Sequence, residues 1–497
     1  MKDKLRSEIF KSIKNLAKEH SDVHVKDLLS QTRLKSFQVN EDIISYDYSK
    51  QRITEEGLEE LLLIPDKINL KDSINSISKG NFLNPTEKRN VSHLLYRSDG
   101  GSDKNKINEI VQQEKDLRSF ISNLAERPVE NIKDIISIGI GGSRLGPELL
   151  SEIFKDQSSK RKVHYCSSLD TQELDLLISS IDPSSVLLVI SSKSFSTKEV
   201  MINAGKAVDW IKKIDPRNYL NRVIGISSNI KAMEDFGIIK SNQFKLLESL
   251  GGRFSVWSSI SLPAIIDIGW KGFKEFKLGA LEADHHFINS SWKKNIPVLM
   301  ALMSCWNMNG LGINNLGIFT YDYKIRSLVK YLTQLGMESN GKTFNSKNQK
   351  SYFYTSPLTW GGYGPDLQHS VFQWILQGSY YSSCDFIGIK NKKEMQSDSY
   401  ISLLAQIEAL SIGEENKDLK FKSITGNNPI SLLRMNEISP RSLGFLIASY
   451  EHKVFVESQI YGVDPFDQWG VKLGKKLSIM AKEREHLLKN FDKNILS

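Results

Sequence analysis

Glu338, in the stretch "YLTQLGMESNGK" from Tyr331 to Lys342, is the first candidate for proton chemistry. Ile325, Leu328, Val329, Leu332 and Leu335 recur at helical spacing, so an amphipathic helix stopping at Gly336 is expected, with Glu338 in the loop beyond it. Ser339, Asn340 and Gly341 permit the tight turns that can carry a side chain to a reacting atom. By residue type alone a loop glutamate is ordinarily a solvated acid. Glu338 therefore needs partners before it can be assigned a task.

Three further ionisable groups have suitable settings. "WGGYGPDLQHSVFQWILQG" puts His369 in the expected first turn of a helix, with Asp366 as cap and Gly378 as stop, and imidazole exchanges protons near neutral pH. A structural hydrogen bond is the commoner use of such a histidine. "GGRFSVWSSISLP" sets Arg253 between a glycine pair and an expected β-like apolar segment, where a fixed guanidinium can meet developing oxyanion charge; an ordinary ion pair is the plainer alternative. Lys475, in "GVKLGKKL", is by type a solvated helix residue.

Two loops have the composition of anion sites. In "IGIGGSRLGPEL", Gly139, Gly141 and Gly142 end an expected strand, and Ser143 precedes a helix expected to start at Pro147. Glycine admits close backbone approach and a helix N-terminus offers free amides, so an anion fits there as well as a purely structural turn does. A dinucleotide fingerprint would need glycine at Arg144, and the Gly-Lys-Ser/Thr ending of a P-loop is absent. "SSKSFSTKE" follows the apolar run "VLLVI" and offers Ser192, Lys193, Ser194, Ser196 and Thr197 ahead of another helix, a composition suited to a phosphate dianion. Ser196 and Glu199 also have the spacing of a capping box, which accounts for part of the pattern but not for Lys193.

These groups must be held by an α/β scaffold. "DIISIGIG", "KVHYCSS", "SVLLVISS" and "RVIGISS" alternate with helical patterns, and "NLGIFTYD" and "YFYTS" open a second such unit, so two αβα sandwich lobes with parallel central sheets are expected. The expected organisation is a helical arm at 1–103, lobes at 104–290 and 291–450, and a C-terminal arm at 451–497. The 497 residues carry a net charge of +8, from 66 basic and 58 acidic residues spread without a basic block, which favours small anions over nucleic acid. Three cysteines without a CxxC pair, no secretory pattern in the first twenty residues and no apolar run long enough to span a bilayer point to a cytoplasmic protein without a membrane segment.

Taken in order, "YDYSKQR", "NPTEKRNVSHLLYR", "IGIGGSRLGP", "SKSFSTKE", "GGRFSVWS", "MESNGK", "QHSVFQWILQG" and "FDQWGVKLGK" resemble the phosphoglucose isomerase family over nearly the whole chain. The resemblance implies sugar-isomerase-type lobes, reversible conversion of glucose 6-phosphate to fructose 6-phosphate, no metal or other cofactor, and a homodimer with shared active sites. It implies that Glu338 moves a proton between the first and second sugar carbons and that Arg253 stabilises the enediolate. His369, reaching in from the partner subunit, and Lys475 would open the ring, with Glu199 orienting His369. Gly142, Ser143, Ser192, Lys193, Ser194 and Thr197 would hold the phosphate, and Gln334 and Gln468 would contact the sugar. The chain departs from commoner members in "GGYGPDLQHS" before His369, in Arg144 for Asp, in Ser194 and Ser196 for threonines and in Lys472 for Glu. Two alternatives stand beside this expectation: a broader isomerase that also takes mannose 6-phosphate, and a sugar-phosphate sensor without turnover.

Overall fold

The computed structural model describes residues 2–98, 100–124, 132–155, 161–345, 347–390, 396–474 and residue 477. In chain order the strands are β1 (Gln38–Asn40), β2 (Ile44–Lys50), β3 (Leu83–Asn84), β4 (Arg89–Asn90), β5 (Asp134–Ile138), β6 (Lys162–Cys166), β7 (Val186–Ser191), β8 (Val223–Ser227) and β9 (Gln243–Lys245). They continue with β10 (Asn315–Thr320), β11 (Leu358–Tyr363), β12 (Ser383–Ile389) and β13 (Ile430–Met435). One sheet has the order β6-β5-β7-β8-β9 and is parallel throughout. The other runs β1-β2-β13-β12-β10-β11, parallel from β13 to β11. Both parallel-sheet lobes are thus present.

Alternation along the strands explains the layering, because successive side chains leave opposite faces of a sheet. Ile135, Leu187 and Val189 enter a central core that also takes Ile318, Ile387 and Leu433 of the second sheet. Their neighbours Ile136, Leu188 and Ile190 enter an outer core of the first lobe, and Phe319, Phe386 and Leu432 an outer core of the second. A continuous apolar run such as "VLLVI" is what a strand covered on both faces requires.

Between the lobes, the helices Leu262–Asn289 and Pro440–Tyr461 cross where both lack side chains. A Cβ on Gly279 would lie 1.7 Å from the Arg441 carbonyl oxygen, and one on Gly444 would lie 1.9 Å from that of Phe276. Only glycine allows this approach. Beside the crossing, Arg97 donates to both carboxylate oxygens of Asp284 at 2.8 Å and also binds Glu451, while His452 lies 2.6 Å from Asp284. A cluster this deep is hydrogen-bonded on every side because an unpaired buried charge is strongly destabilising.

Several local expectations need correction. The N-terminal 103 residues are not purely helical: β1 and β2 extend the second sheet in antiparallel fashion, with Tyr46 of "YDYSKQR" opposite Leu433. "YFYTS" forms no strand; the strand is the following "LTWGGY", whose Gly361 presses on β10 so closely that a Cβ would lie 2.1 Å from the Ile318 carbonyl oxygen. Helix Pro440–Tyr461 runs through the expected boundary at 450/451. Among the described residues no helix is long and apolar enough to cross a membrane.

Candidate functional site

Glu338 lies in the last turn of the helix Leu328–Asn340, not in a loop. Gly336 does not stop this helix because packing continues past it. Ahead of the glycine, Thr333 donates to the Thr359 carbonyl of β11 at 3.4 Å, and beyond it the Asn340 amide donates to the Val454 carbonyl at 3.0 Å and to Glu457 at 3.1 Å. The Glu338 side chain is 24% exposed, in a cleft of about 640 Å³ also lined by Thr86, Lys342, Asp467 and Gln468.

Arg253 meets it there. No strand follows "GGR"; Gly252–Phe254 is a 3₁₀ turn, and further short turns lead into the helix at Leu262. The Arg253 guanidinium is buried and fixed on every side. Nε donates to Ser339 Oγ at 2.6 Å, Nη1 to Gln468 Oε1 at 3.3 Å, and Nη2 to the carbonyls of Pro465 and Asp467. Nη1 is 3.5 Å from Glu338 Oε1. Burial holds this guanidinium below its ordinary value, against the opposing pull of Glu338 and Asp467. The other carboxylate oxygen of Glu338 accepts from Gln334 Nε2 at 2.8 Å.

Both anion loops abut the turn that carries Arg253. A Cβ on Gly142 would lie 2.1 Å from the Gly252 carbonyl oxygen and 2.6 Å from the Arg253 nitrogen, and one on Gly141 would lie 2.9 Å from Gln334 Nε2. Lys193 Nζ donates to the Leu250 carbonyl at 2.8 Å, just ahead of the glycine pair. Burial, reinforced by Arg89, pulls this ammonium down to about 8.

The helix behind the first loop starts at Gly142, five residues before Pro147, because Gly141 turns the chain at φ +56. Ser143 therefore sits in the opening turn, and the Gly141 cap leaves the first amides without a side-chain partner. The same holds in the second loop. The expected capping box between Ser196 and Glu199 does not form, since the helix Lys198–Ile214 is capped by Thr197, without a side-chain hydrogen bond. Ser196 Oγ instead donates to Ser194 Oγ at 2.9 Å, and Ser192 Oγ lies 3.1 Å from Thr197 Oγ1. Phe195, at φ +51, makes the bend between them, a strained conformation for a bulky residue. The loop thus offers uncapped helix amides, hydroxyls and one ammonium, which together suit a dianion.

The remaining candidates are arranged differently. His369 is exposed in the turn between the short helices Gly364–Leu367 and Phe372–Gln377, not in a first helical turn. Asp366 belongs to the preceding helix and contacts His369 only through its carbonyl, at 3.3 Å, while Gly378 does end the second helix. The helix bearing Glu338 meets β11 near its first end, at Thr359, whereas His369 follows its other end. Glu199 is half-buried in the first turn of its helix, where its backbone carbonyl accepts from Asn203 at 2.9 Å. Lys475 lies outside the described residues.

Thr86, Ser339, Lys342 and Asp467 join this site although residue type gave no reason to select them. Their signal lay in position: each falls inside one of the blocks "NPTEKRN", "MESNGK" and "FDQWGVKLGK" that also hold or flank the candidates.

The phosphoglucose isomerase family model matches residues 47–494. Glucose-6-phosphate isomerase of Acinetobacter baumannii (strain AYE) is 36% identical over 506 residues, covering 94% of this chain and 91% of the relative. The enzyme of the same name from Buchnera aphidicola subsp. Schizaphis graminum is 33% identical, covering 95% and 92%. The crystal structure of a glucose-6-phosphate isomerase from Chlamydia trachomatis D/UW-3/Cx superposes with a TM-score of 0.90 at 27% identity, covering 99% of both chains.

Proposed function

The chain belongs to the phosphoglucose isomerase family and interconverts glucose 6-phosphate and fructose 6-phosphate, and on that footing we propose which side chains carry each step. The substrate phosphate sits against Ser143, Ser192, Lys193, Ser194 and Thr197 at the two uncapped helix starts, with the bare backbone of Gly142 beside it. Anchoring the phosphate fixes the far end of the sugar, so binding remote from the reacting carbons lowers the entropic cost of reaching the transition state. Gln334 and Gln468, whose amides already touch Glu338 and Arg253, contact the sugar between them.

Glu338 takes the proton from the second carbon and returns it to the first. Arg253 stabilises the oxyanion that exists between the two transfers, because its orientation is set before substrate arrives. The observation that carries this assignment is the 3.5 Å approach of Arg253 to Glu338 on a turn that both anion loops touch. Opening the sugar ring needs a second acid/base group, a task assigned to His369 and Lys475, with Glu199 orienting His369. Within one subunit the helix that carries Glu338 meets β11 through Thr333 at Thr359, near the strand's start, while His369 follows its far end, and this separation favours a homodimer in which His369 completes its neighbour's site. The reaction is placed in the cytoplasm, in keeping with three cysteines that form no disulfide.

Two experiments test this assignment. In a coupled assay the purified protein should convert fructose 6-phosphate to glucose 6-phosphate; binding without turnover would instead indicate a sensor. Mixing a Glu338→Gln variant with a His369→Ala variant, each inactive alone, should restore part of the activity through hybrid dimers. No recovery after demonstrated subunit exchange would rule out a shared site.

A further inference from the structure

Glu338 stands where a carboxylate is least favoured on a helix. The last turn points carbonyl oxygens at its surroundings, and the helix dipole places partial negative charge there. Arg253 offsets this at the carboxylate, and Lys342 at the backbone of the helix end. Lys342 Nζ reaches back to the end of the same helix, donating to the carbonyls of Glu338, at 3.4 Å, and Ser339, and it also donates to the Asp464 carbonyl at 2.5 Å. Its counter-charge is Asp467, with Oδ1 at 3.2 Å, and Asp467 is itself braced by the Thr86 hydroxyl, 2.5 Å from Oδ2. The ammonium is largely buried, and burial together with nearby Arg253 lowers its proton affinity.

We infer that Lys342 is a positioning residue for isomerisation: clamped between Asp467 and the final carbonyls of the helix, it fixes where the Glu338 carboxylate points and neutralises the helix end beneath it. An ammonium has three protons, and three backbone carbonyls already accept from this one, with Asp467 beside them as counter-charge, so it acts through Glu338 and not on the sugar. The Lys342–Asp467 pair also fastens the C-terminal segment that supplies Gln468 and the two carbonyls holding Arg253. One ion pair thereby sets both groups of the proton-transfer step. This inference rests on Glu338 being the base.

The test is Lys342→Met, which keeps the stem and removes the charge. A misplacement of about 1 Å at a reacting group costs about a hundredfold in rate, so kcat should fall about tenfold to a hundredfold with KM little changed. The deuterium isotope effect with substrate labelled at the second carbon should rise, because proton abstraction becomes slower than ring opening and release. An unchanged kcat and isotope effect, whatever the loss of thermal stability, would overturn the inference. If Lys342→Met does not fold, Asp467→Asn decides: it keeps the Thr86 contact, and it should lower kcat and raise the isotope effect, whereas a wild-type isotope effect would overturn the proposal. Glu338→Gln run in parallel separates the two levels. Retained exchange there defeats the assignment of the base, while lost exchange beside a normal Lys342→Met defeats only this inference.

Discussion

Glu338→Gln is expected to fold normally, bind sugar phosphate and lose exchange of the second-carbon hydrogen with solvent. Glutamine has the shape of glutamate and its side-chain oxygen can still accept from the Gln334 amide, so the helix end and the cleft should persist. What disappears is the proton acceptor. General base catalysis contributes about a hundredfold to ten-thousandfold, and kcat should fall within or beyond that range. The measurement is proton exchange in deuterated water followed by NMR, together with thermal unfolding. Wild-type exchange in a folded variant would remove Glu338 from the mechanism.

Replacing Arg253 by Lys tests the other half of the proton transfer and has a structural consequence as well. The guanidinium serves Ser339, Gln468, Pro465 and Asp467 while keeping one edge 3.5 Å from Glu338. An ammonium keeps the charge but cannot match that fork. Loss of a preorganised oxyanion donor costs about a hundredfold to a thousandfold in kcat. The buried carbonyls left without donors should each cost about 1 to 3 kcal/mol, so the midpoint of urea unfolding should also drop. A variant with lowered stability but kcat within tenfold of wild type would leave Arg253 a purely structural role.

The sequence was most informative where a pattern has one physical solution. Apolar runs too long for a half-exposed strand had to lie in covered parallel sheets, and β5, β7, β8 and β10 fall where expected; β6, expected as a strand too, forms the half-buried edge of its sheet. The serine-rich end of β7 is the expected loop, whereas the glycine-rich end of β5 passes into a helix already at Gly142. The site residues were legible mainly as members of ordered blocks, since a single glutamate or arginine has many uses. Local signals misled where a neighbouring element competed with them. The Ser196–Glu199 spacing fits a capping box, yet Ser196 pairs with Ser194 and the cap passes to Thr197. "YFYTS" has the composition of a strand, yet the strand is the following "LTWGGY", whose Gly361 lets β11 press against β10.

By itself the sequence determined the chemical inventory and the parallel-sheet lobes, because composition and periodicity constrain these locally. Only the tertiary structure decided that Glu338 ends a helix. Glycine at Gly336 disfavours a helix by about 1 kcal/mol. Continuation gains hydrogen bonds of Asn340 to Val454 and Glu457 and of Lys342 to the final carbonyls, each contributing about 0.5 to 1.5 kcal/mol and together outweighing the glycine. Those partners lie more than a hundred residues away along the chain, apart from Lys342, and no local pattern can register them.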